Sequence, residues 1–403
     1  MEMEMLYRDA EGQQSRLREL RRELHRHPET GFDLPHTQEI VRQELERIGC
    51  TPQGCGRAGI VTLVGGKRPG KTILLRADMD ALPLCEETEL DYGSENPGKM
   101  HACGHDLHTA MLLGAARLLK ERENEINGTV KLMFQPAEEI FQGALDMVEA
   151  GVLENPSVDS AMMIHVTAGQ PIPAGTLLVP AGGVTTASCQ QYYILIRGKG
   201  GHGSTPHLAI DPITAAAHIH LALQEINSRE LDPYGYGVFT TCQFRAGEAS
   251  NILPETAEMW GTIRTTDPEG RVAEQIKTRM REIAQGVGTA LRCHVEVTFG
   301  DFCPCVVVDE SLSARAREYL GELFGSAVQT IPQWGGGSED FSWISLRVPA
   351  VTMFLGAGNS EDGYEYGLHN PKTRFDDSVL WRGSAAYACV ALRWLAEQGG
   401  ETG

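Results

Sequence analysis

The segment Met100-His101-Ala102-Cys103-Gly104-His105-Asp106-Leu107-His108 gathers three histidines, a cysteine and an aspartate into nine residues. These are the donor types that hold Zn²⁺, Mn²⁺ or a similar divalent ion. Cys103 and His105 alternate about Gly104, which lets the backbone turn tightly while both side chains face one point. His101 and His108 read more simply as packed histidines. The competing reading of the whole segment is a polar helix entry at about residue 106 or 107, with Asp106 as its cap.

Other acids and histidines fall at the ends of short apolar runs. Asp78 and Asp80 follow the run 73–75, and Glu138 and Glu139 follow 130–134. His165 closes 161–164, and His369 lies beyond 350–355. Ligands of open α/β sheets bind beyond the carboxyl ends of the strands, so the sequence predicts one shared site. Adjacent Glu138 and Glu139 leave the backbone in different directions and need separate roles. One can ligate an ion while the other holds the water that the ion acidifies. That division suits metal-assisted hydrolysis, with the free carboxylate shuttling the proton. The alternative is a solvated acidic pair opening the next helix.

A scaffold must place these groups. Leu17, Leu20 and Leu24 predict a helix over 16–26, which His27-Pro28 ends. Further helices are predicted over about 35–48 and 109–121, with strands at 60–64, 73–75, 130–134, 161–166 and 350–355. Continuous apolar runs separated by helices indicate a mostly parallel sheet covered on both faces. The rhythm changes between 188 and 299. There a strand (192–197), a Gly-rich stretch (198–203) and a helix (212–227) precede strands at 238–244 and 259–265. A helix (270–287) and a strand (294–299) follow. This β-α-β-β-α-β order is the split unit of a ferredoxin-like domain. The expected fold class is therefore α/β with two domains. The catalytic domain would comprise 1–187 and 300–403, and the inserted α+β domain 188–299.

Composition narrows the partners. The 403 residues suggest two or three domains, and 35 basic against 54 acidic residues give a net charge of −19. Such a surface repels phosphate backbones and anionic lipid, so nucleic acid and membrane are disfavoured. No apolar run reaches the roughly 18–20 residues that span a bilayer. The acidic, polar start MEMEMLYRDAEGQQ is unlike a signal peptide, so a cytoplasmic protein is expected. The ten cysteines are scattered, which suits free thiols in a reducing compartment. Their one tight pair, Cys303-Pro304-Cys305, reads as a loop.

Seven blocks, in order over almost the whole chain, resemble metallopeptidase family M20. They are His27-Pro28-Glu29-Thr30-Gly31, Arg76-Ala77-Asp78-Met79-Asp80-Ala81-Leu82, Met100–Asp106, Phe134-Gln135-Pro136-Ala137-Glu138-Glu139, Gly198-Lys199-Gly200-Gly201-His202-Gly203, Gly337-Ser338-Glu339-Asp340-Phe341 and His369-Asn370-Pro371. The chain is most similar to the amidohydrolase branch, with its aminoacylases, hippurate hydrolases and auxin-conjugate hydrolases. The resemblance implies a two-ion centre ligated by Cys103, His105, Glu139, His165 and His369, with Glu138 as general acid/base and Asp78 supporting the ligands from behind. It implies that His202, on the inserted domain, stabilises the tetrahedral intermediate. Asn251 and Arg264, in Ser250-Asn251-Ile252-Leu253-Pro254 and Gly261-Thr262-Ile263-Arg264, resemble positions that hold substrate oxygens or the amino-acid carboxylate. For Arg264 a strand-pairing arginine is the alternative.

The inserted domain serves relatives as lid and pairing surface, so a homodimer is implied, with a tetramer as the alternative. The implied reaction cleaves N-acyl amino acids to a carboxylic acid and an amino acid. A dipeptidase or exopeptidase of the same mechanism is the nearest alternative, and a non-catalytic binding homologue the more distant one. One departure from the wider family is Arg76-Ala77-Asp78 where most of its peptidases have His-x-Asp. In the other, Cys103 with His105 replaces a bridging aspartate, as in the amidohydrolase branch. Sulfur favours zinc, while the mixed shell also accepts manganese, cobalt or nickel.

Overall fold

A computed structural model describes residues 3–332 and 337–400. Two compact units are present. The first takes the described residues up to Thr185 and, from Val307 on, all but 337–339; the second takes Thr186–Val306 with 337–339.

The first unit is built on an eight-stranded sheet. Its spatial order is Gln53–Cys55, Gly59–Gly65, Thr129–Gln135, Thr72–Asp78, Ser160–Thr167, Ala350–Gly356, Leu177–Pro180 and Val328–Ile331. The four consecutive strands from Thr129–Gln135 to Ala350–Gly356 run parallel. Antiparallel pairs flank them, so the sheet is parallel at its centre and mixed towards its edges. Every residue of Thr72–Asp78 and of Ala350–Gly356 is buried. Successive side chains point to opposite faces, so both faces are covered there. Register then aligns the carboxyl ends. Asp78 lies beside Gln135, and His165 beside Phe354.

Helix His105–Glu121 is buried nearly all round, which explains its lack of a strong polar face. Helix Met3–Glu11 was not evident in the sequence, because it turns only Leu6 and Ala10 inward. All ten cysteines are free thiols. Among the described residues no helix is long and apolar enough to cross a membrane.

One charged side chain sits in the middle of the sheet. Arg76 is fully buried; its guanidinium donates to Asp78 at 2.7 Å, Gln135 at 2.8 Å and Asp340 at 3.1 Å. Asp340 also accepts from Gln135 Nε2 and the Ala144 amide. Tyr387 Oη donates to the Arg76 carbonyl and accepts from the Ile164 amide, tying helix Leu380–Gly400 to two strands. Arg76→Met is expected to cost about 3–5 kcal/mol, because it leaves two buried carboxylates without their cation. A urea-unfolding midpoint within error of the parent would refute this.

In the second unit the order Gly237–Ala246, Thr256–Thr265, Cys189–Arg197, His294–Cys303 forms an antiparallel sheet. Tyr192, Ile194 and Ile196 point from one face into a core shared with Ile219 and Leu223 of helix Pro212–Glu225. Ile276 and Met280 of helix Arg271–Ala290 complete that core. The ferredoxin-like order read from the sequence is present, and its last strand runs on to Cys303.

Candidate active site

The cluster begins at a turn. Gly104 has φ +87°, and a Cβ there would lie 2.3 Å from Val166 Cγ2. Only glycine fits this left-handed, crowded position, from which helix His105–Glu121 departs with Cys103 and His105 on either side. His105 Nδ1 donates to the Asp80 carbonyl at 2.7 Å, which leaves Nε2 as the free lone pair. That Nε2 is 3.6 Å from Asp78 Oδ2, 3.8 Å from Glu139 Oε1 and 4.0 Å from Glu138 Oε2.

The remaining donors converge on sulfur. Cys103 Sγ lies 3.5 Å from His165 Nε2 and 3.3 Å from His369 Nε2. His165 Nδ1 donates to the Val166 carbonyl, again turning Nε2 inward. His369 Nε2 is also 3.6 Å from Glu139 Oε1. Cys103 thus belongs to two donor groups, one with His105 and His165 and one with Glu139 and His369. A third group joins His105, Glu138 and Glu139, and within each the donor atoms lie within 4.8 Å. The sequence-predicted ligands and Glu138 are therefore brought together; Asp78 lies beside His105 Nε2 and not behind the ring, where the Asp80 carbonyl stands.

The residues fit divalent ions. Among the described residues, none hydrogen-bonds the buried atoms His105 Nε2 and Glu139 Oε1. Leaving such an atom unsatisfied costs about 1–3 kcal/mol, and both residues share a donor group with Cys103. Burial, with Glu139 and Glu138 beside it, pushes the Cys103 thiol well above its ordinary range. Burial also lifts Glu139 to about 7. It holds His165 well below the usual imidazole value. Burial opposes charge on His105 too, but Asp78 and Asp80 outweigh it and raise that imidazole to about 10. A cation among these donors favours the thiolate and carboxylate instead. Two divalent ions match this donor set.

Asp80 holds the geometry from behind. Its Oδ1 accepts the Glu138 amide at 2.9 Å and its Oδ2 the Glu139 amide at 3.2 Å. Ala137, at φ +55°, makes the turn that presents both amides. Position at a strand end flagged Asp80; its clamping role depends on tertiary contacts. Asp80→Asn puts an amide NH₂ against a peptide N–H, and activity or metal affinity is expected to fall 10–100-fold. Parent-like kinetics and metal content in that variant would remove Asp80 from the site's support.

His108 is a packed histidine. Its Nδ1 donates to Asp78 and its Nε2 accepts from the Val166 amide, so both nitrogens are committed. Burial keeps His101 neutral, with its imidazole lowered to about 3. Asp106 is not a cap: it pairs with buried Arg21 at 2.8 Å and His25 at 2.8 Å. The second unit carries the other three predicted residues. His202 is exposed and accepts from Ser204 Oγ at 2.7 Å through Nδ1. Its backbone pairs with Ile252, next to exposed Asn251. Arg264 donates to Ser338 Oγ at 2.5 Å.

The model of "Peptidase family M20/M25/M40" matches residues 74–393, which contain the whole cluster. The chain belongs to this family. Among its relatives, thermostable carboxypeptidase 1 of Saccharolobus solfataricus is 36% identical over 93% of this chain and 94% of its own length. IAA-amino acid hydrolase ILR1-like 4 of Arabidopsis thaliana is 38% identical over 94% of this chain and 85% of its own. The crystal structure of the Bacillus subtilis YXEP protein, described as a dinuclear metal binding peptidase of the M20 family, superposes with a TM-score of 0.78. It is 32% identical and covers 95% of this chain and 98% of that one. The relatives include a carboxypeptidase and an IAA-amino acid hydrolase, so membership alone does not select the substrate. The Arg76–Gln135–Asp340 network was missed in the sequence; Asp340 stood in a recognised block without a role.

Proposed function

We propose that the chain is an amidohydrolase that cleaves N-acyl amino acids to a carboxylic acid and a free amino acid. The observation that carries this reading is Glu138 beside a convergent Cys103–His105–Glu139–His165–His369 donor set. Two divalent ions held there would supply Lewis acidity and an acidified water. Glu138, anchored by Asp80 through its amide, takes the water proton and returns it to the leaving nitrogen. The Asp80 carbonyl holds His105 in the tautomer that leaves Nε2 open. His369, with its side chain 55% exposed, marks the side open to solvent.

For His202 the proposed role is stabilising charge that develops on the carbonyl oxygen. For Asn251 and Arg264 it is holding substrate oxygens or the amino-acid carboxylate. These three assignments rest on the resemblance of their segments. A homodimer is proposed through the second unit, which exposes Leu208, Leu221 and Phe244. Ten free thiols support a cytoplasmic setting. The carboxypeptidase relative favours a second reading, an exopeptidase of the same mechanism.

The deciding experiment offers N-acetyl, N-benzoyl and N-lauroyl amino acids beside unblocked dipeptides to metal-reconstituted protein, scored by free amine. Metal-dependent release from the blocked substrates alone is expected. Preference for dipeptides moves the chain to the exopeptidase reading, and no release from any compound ends the hydrolase proposal.

A further inference from the structure

Glu23, His27 and His36 converge outside the catalytic cluster and share no residue with it. Helix Gln14–Arg26 stops before Pro28, and the chain turns at Gly31 (φ +61°) into helix Pro35–Arg47. Glu23 therefore stands in the last turn of one helix, with His27 four residues on along the same face. His36 is the second residue of the next helix. His27 Nε2 lies 3.4 Å and His36 Nε2 3.6 Å from Glu23 Oε1. The two imidazoles meet edge to face with centroids 4.6 Å apart.

Both separations are those of loose ion pairs, longer than a close hydrogen bond and within reach of a shared ion. A nitrogen–oxygen hydrogen bond closes to about 2.7–3.2 Å, and neither histidine comes that near. Around a tetrahedral ion with bonds of about 2.0–2.1 Å, neighbouring donors stand about 3.3–3.4 Å apart. Both measured separations fall within a few tenths of an ångström of that edge. Glu23 Oε2 faces Arg26 Nη1 at 3.7 Å, which leaves Oε1 for an ion. The three side chains are 29–44% exposed, and Glu23 and His36 also line an open groove of about 610 Å³. Water can reach the remaining coordination positions.

We propose that Glu23, His27 and His36 bind one divalent transition-metal ion of the zinc type, separate from the catalytic pair. Two imidazoles and one carboxylate leave coordination positions open to water, so the ion exchanges with solvent. The site joins the end of one helix to the start of the next. Glu29, in the intervening loop, accepts the His36 and Thr37 amides through its carboxylate. Its carbonyl takes the amide of Ala81, the neighbour of Asp80. Occupancy therefore braces the loop against which the Asp80 strand end rests.

The test is equilibrium dialysis of the metal-loaded holoenzyme against Zn²⁺, followed by metal analysis of the parent, His36→Ala and Glu23→Gln. The parent is expected to retain one zinc more per chain than either variant. Added Zn²⁺ should raise its melting temperature and leave that of the variants unchanged. The readout is a difference of one equivalent, so it holds whatever number of ions the Cys103 cluster carries. Glu23→Gln keeps side-chain shape and decides the matter if His36→Ala does not fold. Equal zinc in the parent and in the folded variants overturns the proposal.

Discussion

Glu138→Gln is expected to lower kcat by about 10²–10⁴-fold while the bound metal stays at the parental level. The side chain is isosteric, and its amide anchor to Asp80 is a main-chain contact that the substitution does not touch. What disappears is the ability to accept a proton from water and hand it to the departing nitrogen. The five donors assigned to the ions are all retained. KM should change little, because the loss falls on the transition state and not on ground-state binding. Full turnover would sink the assignment of Glu138 as proton carrier. Loss of metal alongside activity would make it a ligand instead.

Removing the ions should be still more severe. Dialysis against a strong chelator is expected to abolish hydrolysis of every substrate that the holoenzyme cleaves, with recovery on adding Zn²⁺ or Mn²⁺. The melting temperature should also fall, since an ion present at 100 times its Kd stabilises the folded state by about 2.7 kcal/mol. The cluster gives this a residue-level form. Cys103 Sγ belongs to two donor groups, whereas His369 belongs to one of them and is half exposed. Cys103→Ala should therefore lose more metal than His369→Ala, as read by metal analysis. Chelated protein that remains fully active would overturn the two-ion reading.

The legibility of this chain followed the range of its interactions. Strand cores such as 73–75 and 130–134 announce themselves because burial on both faces demands continuous apolar runs. Helix Gln14–Arg26 shows in its leucine spacing because it buries a single face. Helix Met3–Glu11 turns only two residues inward and strand Val328–Ile331 none, so neither leaves a pattern, while strand Leu177–Pro180 is wholly buried but only four residues long. Asp106 illustrates the other limit. At a helix entry a cap was a sound alternative, but its partners Arg21 and His25 lie some eighty residues earlier.

Donor chemistry was a property of the sequence alone: thiol, imidazole and carboxylate types at strand ends define what such a site can bind. The β-α-β-β-α-β order of the second unit was equally local, since each element carries its own period. Tertiary structure decided which nitrogen each histidine presents. His105 and His165 turn Nε2 inward because backbone carbonyls occupy Nδ1. His108 is withdrawn because Asp78 and Val166 take both of its nitrogens. It also decided that Asp80 clamps two glutamate amides and that Arg76 neutralises Asp78 and Asp340 inside the sheet. Two of these contacts, Asp80 with Glu138 and Arg76 with Asp340, join residues 58 and 264 positions apart. Spacing along a chain carries no record of either; both are selected by the low dielectric of the interior, where an unpaired charge or an unmet hydrogen bond is too costly to leave.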